Sequence, residues 1–242
     1  MNAPIDHAVS VVIPTYSGAR HIAATIDSIA AQPHVTLQII VVDDASPDGS
    51  ADIVREMKAG GTPVELVSHT ENRGVAAARN TGLAAARHDL IAFCDHDDLW
   101  APDKLALQIA ALEQTGCDLV LGHVEHFVEP GIEVPAWFQQ RWGESAHPAW
   151  FLSAALVRRR VFERVGTFDA TKRNGGDDVD WFARVKMADV EIVVLDEVVL
   201  HRRVHDQNLS AMTRQHNAEL LEVIRAAAAA RSARGLGERI DP

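Results

Sequence analysis

"IAFCDHDDLW", residues 91–100, runs four largely apolar residues into three aspartates set within four positions, then closes on Leu99 and Trp100. A short, continuously apolar run is the pattern of a strand buried on both faces. Similar runs recur as "VSVVIP" (9–14), "LQIIVVDDAS" (37–46) and "PVELVSH" (63–69), with the stretch in question filling "LIAFCDHDD" (90–98). Helical patterns separate them. "GARHIAATIDSIAAQ" spaces Ile22, Ile26 and Ile29 by four and three residues, and "APDKLALQIAALEQTG" does the same with Leu105, Ile109 and Leu112, behind Pro102. The alternation predicts an α/β fold with a mostly parallel central sheet and helices on both faces. In such folds ligands gather beyond the carboxyl ends of the strands. Polar residues cluster at those ends: Thr15 and Tyr16, then Asp43 and Asp44, then Asp95, Asp97 and Asp98.

Composition narrows the classes. The chain has 242 residues, 47% of them hydrophobic, enough for one sizeable core. Lys and Arg number 23 against 34 Asp and Glu, a formal charge of -11. That excess argues against nucleic acid as a partner, because binding its phosphates depends on clustered cations. Cys94 and Cys117, the two cysteines, imply neither a disulfide framework nor a Cys-rich zinc site and fit a reducing compartment. The N-terminus lacks the layout of a signal peptide, and no apolar run approaches the roughly 18 residues of a membrane span. The expected location is cytoplasmic, with peripheral contact at the inner face of a membrane compatible with it.

The later half is less regular. "DLVLGHVEHF" (118–127) and "EIVVLDEVVLHRR" (191–203) read as strands and "DVDWFARVKMAD" (178–189) as a helix. Residues 129–148 read as a long loop carrying Trp137, Phe138 and Trp142, and residues 214–242 as an Ala-rich helix and tail. Loops of that length are commonly functional. With no repeat and no Pro- or Ser-rich linker, a single domain is expected.

The crowded aspartates need a reason. Turns favour Asp, and solvation alone is the plain explanation. The sharper one is a divalent cation: Mg2+ or Mn2+ takes hard oxygen ligands, held by one or two carboxylates while substrate phosphates fill other positions. Such an ion lets an acidic protein hold an anionic diphosphate. In an extended segment Asp95 and Asp97 would point the same way, with Asp98 turned toward the next loop. Asp43 and Asp44 suit ribose hydroxyls or a base N–H. The turn after the first strand reads "PTYSGARH", without G-x-G-x-x-G, and the chain has no G-x-x-x-x-G-K-[ST], which removes dinucleotide and P-loop folds.

Several ordered segments resemble the family 2 glycosyltransferases of GT-A fold, over about residues 9–210. "VSVVIPTYSGARHIAATIDSI" is similar to the family's opening strand and helix, "IIVVDDASPDGS" to its nucleotide-contacting segment, and "ENRGVAAARNTGLAAARHDLIAFCDHDDLWAPDKL" to the approach to its D-x-D motif. "RRRVFERVGTFDATKRNGGDDVDWFARV" is similar to the acceptor-side segment and "HRRVHDQNLS" to a closing motif. The resemblance implies a nucleotide-binding half over residues 1–100 and an acceptor-side half over 101–213. It places Pro14 and Tyr16 beside the base, Asp44 on uracil or ribose with Asp43 in support, and Arg79 and Asn80 bracing the pocket. Asp95 would face the ribose, Asp97 with Asp98 would hold the metal, and His205 would lie near the diphosphate or the metal. Asp178, of the pair Asp177–Asp178, would be the general base. The pair is Asp-Asp rather than the commoner Glu-Asp, and "QQRW" (139–142) lies upstream of it, out of register with the Q-x-x-R-W of processive synthases.

This reading implies a metal-dependent, inverting transfer of one sugar from a nucleotide diphosphate sugar, a UDP-sugar above all. The acceptor would be a saccharide, lipid-linked or peptide hydroxyl, in polysaccharide or glycolipid assembly. Asp178 opens a helix whose dipole favours its ionised form, so a low pKa is expected, while an N-cap role is the plain alternative. Trp137, Trp142 and Trp150 are candidate sugar platforms, Trp100 and Cys94 core residues, and "RRR" (158–160) a solvated strand end. Two other classes stand beside it. A haloacid-dehalogenase-like phosphatase also uses D-x-D, but on its first strand and with Thr or Val where this chain has Leu99; the other is a nucleotide-sugar-binding protein without turnover.

Overall fold

The computed structural model describes residues 7–132, 146–148, 150–172 and 176–205. Trp137, Trp142 and the expected C-terminal helix lie outside them. The first half alternates strand and helix: β1 (His7–Thr15), α1 (Ile22–Ala30), β2 (Val35–Asp43), α2 (Ser50–Ala59), β3 (Val64–Ser68), α3 (Val75–Ala85) and β4 (Leu90–Phe93). Then follow β5 (Leu99–Trp100), α4 (Lys104–Thr115), β6 (Leu119–Val128), β7 (His147–Pro148), a 3-10 turn (Leu152–Ala154) and β8 (Leu156–Arg158). α5 (Arg159–Val165), α6 (Asp177–Met187) and β9 (Ile192–Val204) complete the described chain.

One sheet runs in the order β3-β2-β1-β4-β8-β6-β9-β5, with β7 paired to β6. β1 pairs in parallel with β2 and β4, and β2 with β3; β8 then runs antiparallel to β4 and β6. The chain leaves β1 toward β2 and β3, then returns over the sheet to β4. That reversal opens a crevice at the carboxyl ends of β1 and β4, where a ligand can enter.

Strand burial explains the missing alternation. Val9, Val11 and Ile13 of β1 face one core with Ile22, Ile26 and Ile29 of α1, while Val12 faces the other with Ala76, Ala78 and Leu83 of α3. Both faces are covered, so apolar residues are needed at every position. α3 lies close on the sheet because Gly82 has no side chain: a Cβ there would come within 2.2 Å of Val12 Cγ1. Among the described residues no helix is long and apolar enough to cross a membrane.

Two expectations needed correction. β4 ends at Phe93, and residues 95–98 form a turn closed by Asp98 N–H donating to Asp95 O at 3.2 Å, not an extended continuation. The "RRR" run is no solvated strand end. Arg158 donates to the carbonyls of Cys117 and Leu112, and Arg159 to those of Ala86 and His88, tying the start of α5 to the chain at and beyond the C-terminal ends of α4 and α3.

Candidate active site

The turn after β4 is pinned from several sides. Ser153 of the 3-10 turn accepts from the Asp95 N–H at 3.1 Å, and the buried Thr25 hydroxyl of α1 lies 2.8 Å from the carbonyls of both His96 and Asp98. The His96 ring packs where a Gly18 Cβ would stand, 2.6 Å from its Cδ2. The three aspartates therefore part company. Asp95 remains 40% exposed at its side chain and accepts from Arg79 at 2.9 Å. Asp97 meets His205, with Oδ2 2.9 Å from Nε2. Asp98 is buried and accepts from the Arg203 N–H at 3.0 Å, tying the turn to β9. Burial raises the Asp98 carboxyl well above the carboxylate range, with the neighbouring Asp97 charge adding to it. Burial works on Asp97 in the same direction, but the His205 hydrogen bond and the positive groups around it prevail and hold it below that range.

His205 has company that the sequence did not single out. Its ring lies 4.8 Å from that of His21, which meets Glu129 Oε1 at 3.2 Å. Arg203 Nε donates to the Asp97 carbonyl at 2.9 Å. None of these long-range partners leaves a local motif; "HRRVH" marks the segment but not which of its side chains meets the turn.

At the ends of β1 and β2, Pro14 is buried and Tyr16 stands 47% exposed over the crevice. Asp44 is enclosed, as is Asp43, and its carboxylate accepts from the N–H groups of Arg73 and Gly74, the latter at 2.7 Å, and from His69 Nδ1 at 2.6 Å. It shapes the loop that enters α3. Asp43 accepts from Ser46 N–H through Oδ1, and its Oδ2 has no hydrogen-bond partner among the described residues.

The acceptor side is built on α6. Gly176, at φ 81°, caps it without a side-chain bond, so Asp178 is not the N-cap. Asp177 is buried and accepts from Arg79 at 2.8 Å. Asp178 accepts from the Val179 N–H at 2.8 Å. Its pKa departs from the low value expected of a helix start. Burial raises it, Arg79 opposes, and the charges of Asp177 and Asp95 push it further up. The Asn80 side chain pairs with both backbone groups of Phe168 at 2.8 and 3.0 Å, bracing the irregular segment before α6. Trp150 lies edge-on to Phe182 of α6 at 5.4 Å, with Lys186 Nζ 3.8 Å from its ring centroid. Trp100 and Cys94 are buried, as expected of core residues.

Asp97 offers oxygen and His205 nitrogen within reach of one another, and among the described residues no group of three His, Cys, Asp or Glu side chains forms a closed cage. Two protein donors would suit an ion whose remaining positions substrate phosphates fill, and the nitrogen donor suits Mn2+ better than Mg2+.

Solved structures share this fold. A TarS protein of S. aureus, solved with UDP-GlcNAc, superposes with a TM-score of 0.72 at 20% identity, over 92% of this chain and 66% of that one. A mannosyltransferase of Pyrobaculum calidifontis, solved with GDP-Man and Mn2+, gives a TM-score of 0.68 at 25% identity over 98% of this chain and 78% of that one. An Escherichia coli UDP-Glc:alpha-D-GlcNAc-diphosphoundecaprenol beta-1,3-glucosyltransferase is 32% identical over 120 residues, half of this chain and 47% of that protein. The chain spans less than two thirds of the length of the curated relatives it matches, between 43% and 65% for the first of them. The D-x-D follows β4 rather than the first strand, which leaves the phosphatase reading without its nucleophile position. The family model described as glycosyl transferase family 2 matches residues 10–173, well over half of the sequence: the chain belongs to that family.

Proposed function

We propose that this chain is a glycosyltransferase that moves one sugar from a UDP-sugar to a hydroxyl acceptor, saccharide or lipid-linked, with divalent-metal dependence and inversion at the anomeric carbon. The observation that carries the reading is the meeting of two acidic stations at one sheet margin, Asp95 and Asp97 after β4 and Asp177–Asp178 at the start of α6, joined through Arg79. Tyr16 and Asp43 receive the base, Asp43 with its free Oδ2, while Asp44 holds the neighbouring loop; this exchanges the roles expected of the two aspartates. Asp95 meets the ribose. Asp97 and His205 hold the cation, with Asp98 supporting the turn from beneath. A bound cation would neutralise charge on the leaving diphosphate.

The acceptor oxygen attacks the anomeric carbon, the bond from that carbon to the diphosphate oxygen breaks, and the hydroxyl proton passes to Asp178. A raised pKa makes Asp178 a stronger base than an ordinary carboxylate, provided the pH is high enough to ionise it. Attack from the face opposite the diphosphate inverts the configuration. The E. coli relative uses a diphosphoundecaprenol-linked acceptor, by its name, which supports glycolipid or polysaccharide assembly as the setting.

A thermal-shift panel of UDP, GDP and their sugars, with and without Mn2+, tests the donor. Stabilisation by UDP or a UDP-sugar that needs the metal is the expected result; no shift with any nucleotide would refute the reading. Release of UDP from the stabilising UDP-sugar separates an active enzyme from a binding protein without turnover.

A further inference from the structure

Arg79 is buried in α3, yet its guanidinium reaches two elements at once. One terminal nitrogen donates to Asp95 at 2.9 Å, in the turn after β4, and the other to Asp177 at 2.8 Å, at the start of α6. The ion pair is a poor device for stability. Arg79 Nε and Asp177 Oδ1 are both buried without a hydrogen-bond partner among the described residues, and leaving such atoms unpaired costs free energy. A buried pair of this kind is weak evidence of stabilisation and is better explained by what it holds in place. Here it holds the donor turn against the helix that carries Asp178. We infer that Arg79 is a positioning residue that docks the first turn of α6 onto the donor side and, with Asp177, sets the charge environment of the neighbouring Asp178.

The inference rests on the reading of Asp178 as the base but is tested without it. The charged groups facing Asp178 are Arg79 from α3, Asp177 from its own helix and Asp95 from the donor turn; Asp180, further along α6, is paired with Arg184 at 3.0 Å. Arg79 and Asp177 carry opposite charges and must act in opposite directions. Arg79 opposes the upward shift of the Asp178 carboxyl that burial causes, and Asp177 adds to it. A simple structural tie would not produce opposite signs, because losing either partner would loosen the same contact.

The experiment is a pH titration of the Asp178 side-chain carboxyl by 13C NMR in aspartate-labelled protein, with the resonance assigned from Asp178→Asn. The midpoint is expected to fall by about one pH unit in Asp177→Asn and to rise by about as much in Arg79→Gln, as charges at this range demand. Arg79→Lys, which keeps the charge, should stay near the parent. If Arg79→Gln does not fold, Asp177→Asn alone decides. A midpoint that stays put in Asp177→Asn, or moves in the same direction in Asp177→Asn and Arg79→Gln, overturns the inference. No substrate enters the titration, so failure of the donor assignment leaves its outcome untouched, and normal transfer by Asp178→Asn would remove the base without altering the electrostatic result.

Discussion

Asp178, the base of the proposed transfer, sets stability against chemistry. Its carboxyl is raised above the unfolded value, chiefly by burial, so the folded protein holds this proton more tightly than the unfolded chain does. Stability associated with it is present at low pH and is lost as pH rises through the folded pKa. At neutral pH the ionised, half-buried Asp178 is therefore a cost, and Asp178→Asn should raise Tm while UDP binding persists. Transfer should fall by about 10²–10⁴-fold, the span general-base catalysis supplies. A variant with parental transfer in an acceptor assay would remove Asp178 from the mechanism. In the parent, the acid limb of the pH–rate profile should lie above the ordinary carboxylate range, where a helix dipole alone would have put it lower. The sequence displayed the residue and its acidic neighbour but not this sign, because burial comes from elements far away in the chain.

At the scale of elements, legibility followed apolar periodicity. α1 shows isoleucines at helical spacing and is plain from sequence, whereas α3 is built of "VAAARNTGLAA" and packs with Ala76, Ala78 and Gly82, small residues that leave almost no amphipathic signal. The close approach is the reason for the small residues. Gly82→Ala places a methyl into Val12 and should destabilise the fold by about 1–3 kcal/mol, as overpacking does. Urea unfolding measures it, and an unchanged midpoint would mean α3 can shift without cost. Because Arg79 and Gly82 share this helix, such a shift should also weaken the Arg79 contacts. The turn at 95–98 was misread as strand because three aspartates after an apolar run give no hint of the Ser153 and Thr25 contacts that fold it back.

For the whole molecule, electrostatics has a buried and a surface part. Lys104 is fully enclosed, bonded to the neutral Gln108 at 2.9 Å and set 4.9 Å from the Trp100 ring, and burial brings its pKa down to about 7. The unfolded chain keeps this proton to its ordinary pKa of about 10.4, so between those values the unfolded state binds more protons and stability climbs with pH. The Tm of the parent relative to Lys104→Met should therefore increase from pH 7 to pH 10; a constant difference would mean the amine finds solvent. The surface part is the formal charge of -11, which is plain in the composition and which would repel a diphosphate unless a bridging cation offset it, as the proposed function requires. The α/β architecture, the parallel half of the sheet and the aspartates at its margin could be read from local patterns. The meeting of β4, α3, α6 and β9 at that margin could not, since it depends on β8 and β9 entering the sheet out of sequence order.

The central claim is that Asp97 and His205 hold a divalent cation on which the nucleotide diphosphate rests. A crystal grown with UDP and Mn2+, with anomalous diffraction recorded above the manganese edge, tests it most directly. The account predicts an anomalous peak between Asp97, His205 and the diphosphate, absent from crystals of Asp97→Ala grown in the same solution; UDP bound with no peak beside Asp97 would contradict it.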